Sequence, residues 1–73
     1  MAQPNETFLV WLALQARRDD AVGDCARDML DDPDWPADAT TFEPARAYLE
    51  SVHASPKAIE ALREAWDEWR AKS

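Results

Sequence analysis

One histidine and one cysteine are the residues of this 73-residue sequence that could form a nucleophilic catalytic site. Such a site needs a base within hydrogen-bond reach of the nucleophile. Cys25 falls on an apolar helical stripe, however, whereas His53 lies in a short corner between two predicted helices. The pattern predicts a packed thiol and a corner imidazole, and a chain this short has little room for a substrate pocket. We expect that the protein is not an enzyme.

A dense group of aspartates is the second candidate for chemistry. Carboxylate oxygens suit Ca²⁺ or Mg²⁺, but the D-x-D-x-D-G spacing of a calcium loop with a later Glu is absent. Pro33 and Pro36 also stiffen the segment. Zinc would need about four ligands, and one Cys with one His falls short of that set. We therefore expect no metal and no cofactor, and the acids are interpreted as solvated residues: Asp28, Asp31, Asp32, Asp34 and Asp38.

The net charge of −7 is concentrated in residues 21–40, where six aspartates and one arginine sum to −5. This charge argues against general nucleic-acid binding, which depends on Lys and Arg. The acidic face has two interpretations, a solvated surface that maintains solubility or a docking surface for a basic patch of a partner protein. A DNA mimic that occupies a nucleic-acid-binding protein is the extreme form of the second. The candidate partner-binding residues are Asp24, Asp28, Asp31, Asp34 and Trp69.

Four amphipathic segments must position these residues. The first helix is predicted over Phe8–Ala16, with Asn5 or Thr7 as its cap and with Arg17 and Arg18 favourably placed at its C-terminal end. The second begins at Asp20 and ends before Pro33, the third follows Thr41 as its cap, and the fourth occupies Ser55–Lys72. Trp35, in the turn DPDWP between the second and third helices, is predicted to fold back onto the core.

Apolar residues recur at helical spacing in each of these segments. Trp66 is predicted to lie at the centre of the core. The stripes are Val22, Cys25, Ala26, Met29 and Leu30 in the second helix; Phe42, Ala45, Tyr48, Leu49 and Val52 in the third; and Ile59, Leu62, Trp66 and Trp69 in the fourth. The sequence thus predicts an all-α protein, a compact bundle of four or five short helices with a longer C-terminal helix, and one domain over residues 1–73 with residues 1–6 frayed.

Five segments, FLVWL, VGDCARDM, DPDWP, YLES and EAWDEW, together resemble the YozE-like, SAM-like domain family of small bacterial proteins. They span about Phe8 to Trp69 in the family's order. The resemblance implies a sterile-alpha-motif-like bundle of four or five short helices with a long last one. Trp69 departs from the tyrosine expected near the end of the family pattern. The family is largely uncharacterised, so the resemblance implies a fold and very little chemistry.

The expected function is that of a small intracellular protein–protein interaction module acting through its helix surfaces, as a monomer or with weak self-association. The alternative is a nucleic-acid-associated helical domain, since SAM-like bundles resemble small helical domains that bind DNA or RNA. Met1–Thr7 contains no basic residue ahead of an apolar run, so we expect no signal peptide. The apolar run Phe8–Leu14 is far shorter than the roughly 20 residues of a membrane span. A cytoplasmic location without membrane attachment is therefore expected.

Overall fold

The computed structural model describes residues 7–72, and within this range it contains four α-helices and no strand. The expected all-α bundle with a longer last helix is confirmed. The predicted fraying of residues 1–6 and the alternative cap Asn5 lie outside the described residues. The helices are α1 (Phe8–Ala13), α2 (Ala21–Asp31), α3 (Phe42–Ser51) and α4 (Pro56–Lys72).

The helices begin where the sequence predicts, and three of the four capping side chains accept the expected hydrogen bond. Thr41 has the extended backbone of an N-cap, although its side chain makes no cap hydrogen bond. The other three caps accept the backbone N–H three residues later, which satisfies a donor that has no partner inside the helix. These bonds join Thr7 to Val10 at 3.2 Å, Asp20 to Gly23 at 3.0 Å and Ser55 to Ala58 at 3.2 Å.

Helix α1 is shorter than predicted, ending at Ala13 instead of Ala16. The N–H of Leu14 donates to the carbonyls of both Val10 and Trp11, at 3.3 and 3.1 Å, and the chain then leaves the helix through turns. The prediction that two arginines close α1 is therefore wrong. Arg18 instead turns towards α4 and binds the carboxylate of Glu68.

The core lies between the four helices, and Leu62 occupies its centre on α4, with no exposed surface. Trp66 is only half-buried at the edge of this core, so the prediction that it lies at the centre is wrong. Its ring packs edge-on against Phe8, with the centroids 5.1 Å apart. The buried residues are Phe8, Trp11, Leu12, Val22, Cys25, Ala26, Met29, Ala39, Ala45, Ala61, Leu62 and Ala65.

Two residues predicted on buried stripes are exposed. Leu30 exposes 56% of its surface and Val52 exposes 51%. Leu30 is the penultimate residue of α2, and Val52 is the residue that ends α3. Their spacing fits the stripes, but the stripes extend past the part of each helix that is covered by its neighbours.

The turn between α2 and α3 packs onto the bundle through Trp35, as predicted. Its ring lies edge-on to that of Tyr48, with the centroids 5.4 Å apart. The Tyr48 hydroxyl donates to Asp32 at 2.5 Å, and Asp32 also accepts the N–H of Asp34 at 2.9 Å. The indole N–H of Trp35 is buried and donates no hydrogen bond to any residue between Thr7 and Lys72. These contacts join the end of α2 to α3.

Candidate protein-binding groove

A groove of about 470 Å³ lies between α2 and α4. Arg18, in the link before α2, pairs both with Asp20 at the start of α2 and with Glu68 in the C-terminal part of α4. The groove also reaches the first turn of α4, where Ser55 and Lys57 line it. The lining residues are Asp20, Ala21, Asp24, Cys25 and Asp28 on one side and Ser55, Lys57, Ala58, Glu60, Ala61 and Glu64 on the other.

Small side chains form the apolar surface of the groove. Cys25 and Ala61 are buried, Ala58 is half-buried, and Ala21 adds a further small residue. They fall at i,i+4 on α2 and at i,i+3 on α4, which places each pair on one helix face. Because these side chains are short, a depression remains between the two rows of polar residues.

Carboxylates dominate both walls of the groove. Five acidic residues and Lys57 give these walls a formal charge of −4 (−5 + 1). Arg18 pairs with Asp20 at 2.7 Å, and Arg27 pairs with Asp24. The other three carboxylates form no ion pair with any residue in the range 7–72: Asp28, Glu60 and Glu64.

The thiol of Cys25 is free and lies on a buried side chain. Burial, together with the negative charge of Asp28, raises its pKa to about 11. His53 is exposed at the corner between α3 and α4, with a φ of 60°, and is not among the groove-lining residues. In the described part of the chain, no group of three or more His, Cys, Asp or Glu residues could hold a metal ion.

The structure separates the partner-binding residues predicted from the sequence. Asp24 and Asp28 line the groove and are exposed. Asp31 and Asp34 are also exposed but lie outside it. Trp69 is half-buried and packs against the core, where its ring centroid lies 5.9 Å from that of Phe8. It therefore serves first as a packing residue.

The opposite wall of the groove was missed by sequence reasoning. Lys57, Glu60 and Glu64 follow one another at spacings of three and four on the polar face of α4. That spacing was available in the sequence and indicates one shared helix face. Which face of α2 this wall would meet was not available, because that depends on how the two helices pack against each other in the folded protein.

The four-helix arrangement with a long last helix is that of a small SAM-like domain. The chain belongs to the YozE SAM-like fold family, whose model matches residues 7–71. This match confirms the resemblance carried by the five segments. No curated protein and no solved structure matches the chain. Among the helices of residues 7–72, none has both the length and the apolar character needed to cross a membrane.

Proposed function

We propose that this protein is a small interaction module that binds a basic segment of a partner protein through the α2–α4 groove. The observation that supports the proposal is a set of three carboxylates, Asp28, Glu60 and Glu64, that line one groove and form no ion pair with any residue described. Complementary charge steers association and selects partners. A Lys or Arg side chain placed in the groove would meet carboxylates from both walls.

Electrostatic repulsion inside the free protein supports the same interpretation. Glu60 and Glu64 lie at i,i+4 on α4, and Asp24 and Asp28 have the same spacing on α2, where the pairing of Arg27 with Asp24 offsets part of the repulsion. Each such like-charged pair costs a helix about 0.2–0.5 kcal/mol. Solubility requires net charge but does not require it along both sides of a depression. A basic partner would relieve the repulsion when it docks.

A binding role agrees with the chemistry of the groove better than catalysis does. Its thiol is protonated at neutral pH, and its wall carries no histidine. We therefore propose that the protein is not an enzyme. The negative groove also repels a phosphate backbone, so a nucleic-acid partner is the second-ranked alternative.

The test uses a fluorescein-labelled oligoarginine peptide and fluorescence anisotropy at low salt. The test variant carries Asp28→Asn, Glu60→Gln and Glu64→Gln. The matched control carries Asp31→Asn, Asp34→Asn and Asp38→Asn, which changes net charge by the same three units at exposed acids outside the groove. With about 0.5 kcal/mol per exposed contact, the groove variant should bind about tenfold more weakly than the wild type.

The control variant should lose less than about threefold in affinity for the peptide. Added salt should weaken peptide binding by the wild type and by both variants. Equal losses in both variants would show that net charge alone attracts the peptide, which would refute a groove site. A parallel titration with labelled duplex and single-stranded DNA tests the alternative class. Binding of DNA that is tighter than binding of the peptide would reverse the ranking.

A further inference from the structure

Helix α1 has an apolar face on its solvent side as well as on its core side. Leu14 exposes 66% of its surface, the largest fraction of any large apolar residue described, and Val10 exposes 53%. The two lie at i,i+4, and Leu14, the C-cap of α1, continues the helical path with φ −70° and ψ −13°. Leu9 and Ala13, both half-buried, form a second i,i+4 row beside them. These four residues are called the outer face of α1.

The sequence around the outer face of α1 carries no charge. Residues 7–16 contain no Asp, Glu, Lys or Arg, although these four types make up 32% of the chain. The centre of a protein interface is depleted in charged residues, and its rim is polar. Thr7 and Arg17, which are exposed, stand at the two ends of this stretch. The outer face of α1 therefore has the composition of an interface centre with a polar rim.

Charge favours a second copy of this chain as the occupant of the face. A basic segment, the partner proposed for the α2–α4 groove, would find no carboxylate among residues 7–16. Two copies of the chain, each with a net charge of −7, repel each other least where they meet through an uncharged surface. An apolar face is also complementary to itself, which a two-fold interface requires.

The size of the face sets the strength of the association. An exposed apolar face of this kind covers on the order of a few hundred Å², whereas a standard stable complex buries roughly 800 Å² per partner. The outer face of α1 is therefore too small for a permanent dimer. It fits a weak, reversible one.

The two rows of the outer face suit helix-to-helix packing. Side chains at i,i+4 form a ridge on a helix, and the ridges of one helix fit the grooves of another at a crossing angle near −50°. The row from Leu9 to Ala13 and the row from Val10 to Leu14 supply two ridges with a groove between them. The short side chain of Ala13 leaves room for Leu14 of a second copy.

We propose that two copies of this chain associate weakly and reversibly through the outer face of α1, around a two-fold axis. None of the four residues of this face lines the α2–α4 groove, so the dimer carries two open grooves. The interface is a second binding surface, distinct from the proposed function in position and in chemistry.

The test follows ¹⁵N-labelled protein by NMR and by sedimentation equilibrium from about 0.05 to 2 mM, a range that reaches a Kd on the order of 1 mM. The test variant carries Val10→Thr and Leu14→Gln. The matched control carries Val52→Thr and Leu30→Gln, the same two exchanges at exposed apolar residues outside α1. Neither variant changes the net charge.

The wild type should show concentration-dependent amide shifts that are largest in α1 and that fit a monomer–dimer equilibrium. The α1 variant should dimerise at least about tenfold more weakly than the wild type, and the control should differ from it by less than about twofold. Added salt should strengthen dimerisation, because it screens the repulsion between the two negative chains. This salt effect is opposite in sign to the one expected for peptide binding in the groove.

A wild type that stays monomeric throughout the range, shifts centred away from α1, or equal losses in the two variants would overturn the proposal. Vesicles of phosphatidylcholine test a lipid surface as the alternative occupant. Vesicle binding by a monomeric wild type that is lost in the α1 variant would assign the face to lipid and overturn the dimer. Both variants should bind the oligoarginine peptide as the wild type does, so failure of the dimer leaves the proposed function in place.

Discussion

Replacing Gly23 by alanine should destabilise the protein, although alanine is the better helix former. A Cβ at this position would lie 2.0 Å from the carbonyl oxygen of Arg18 and 2.6 Å from its carbonyl carbon. Ordinary contact begins at 3.4 Å, so the backbone must move by about 1.4 Å (3.4 − 2.0). Because the obstacle is backbone, no side-chain rotation can relieve the clash.

The movement would disturb the contacts that hold the α1–α2 link in place. The carbonyl of Arg18 accepts a hydrogen bond from Arg27 at 2.9 Å, and the guanidinium of Arg18 donates to Glu68 at 3.1 Å. Overpacking lowers the free energy of unfolding by about 1–3 kcal/mol, and loss of the exposed Arg18–Glu68 ion pair would lower it by up to about 1 kcal/mol more. The helix propensity of alanine offsets less than about 1 kcal/mol. The expected net loss is about 2 kcal/mol, within a total stability of roughly 4–11 kcal/mol.

The assay is thermal unfolding followed by far-UV circular dichroism. At about 4–8 °C per kcal/mol for a domain of this size, Gly23→Ala should lower Tm by roughly 8–16 °C. Gly23→Ser should fall in the same range, because any Cβ meets the same carbonyl. The control Asp28→Ala, at an exposed position of the same helix, should change Tm little. A Gly23→Ala protein that melts at or above the wild-type temperature would refute the steric argument.

Three further outcomes are expected. Leu62→Ala should reduce the free energy of unfolding in urea by about 2–5 kcal/mol, because the side chain is fully buried, and a loss below 1 kcal/mol would contradict its central position. The hydrogen bond from Arg18 lowers the pKa of Glu68 in the folded state. The stabilising effect of this bond is therefore present above the unfolded pKa of about 4.3 and is lost at lower pH. The free energy of unfolding, measured across that pH range, should depend less on pH in Arg18→Met than in the wild type. The hydrogen bond to Asp32 raises the pKa of Tyr48 to about 12. In an ultraviolet titration, the Asp32→Asn substitution should move the pKa of Tyr48 towards 10. A pKa that is the same in the variant and the wild type would show that the bond is absent in solution.

The helix starts could be predicted from the sequence because they depend on local chemistry. Asp20 and Ser55 accept backbone N–H groups within their own first turns, so no distant residue is needed to place them. The end of α1 could not be predicted in the same way. Arg18 leaves the helical path to reach Glu68, fifty residues further along the chain.

Only the α2 side of the candidate site could be predicted from the sequence, because only that side depends on spacing within one helix. The spacing of Asp24 and Asp28 opposite a buried stripe indicated that they face solvent, and they do. Their neighbours in the groove, Glu60 and Glu64, could be recognised only after α2 and α4 were placed side by side. Periodicity assigns a residue to a face of its own helix but does not say which other helix that face approaches.

The sequence by itself predicted a bundle of four or five helices, most of their boundaries, the family and the acidic surface, because capping, periodicity and charge are properties of neighbouring residues. The tertiary structure alone decided that Leu62 rather than Trp66 lies at the centre of the core, and that Leu30 and Val52 remain exposed. It also decided that two acidic helix faces form one groove. Burial and electrostatic pairing depend on distances between segments far apart in the chain, and those distances are set only when the helices pack.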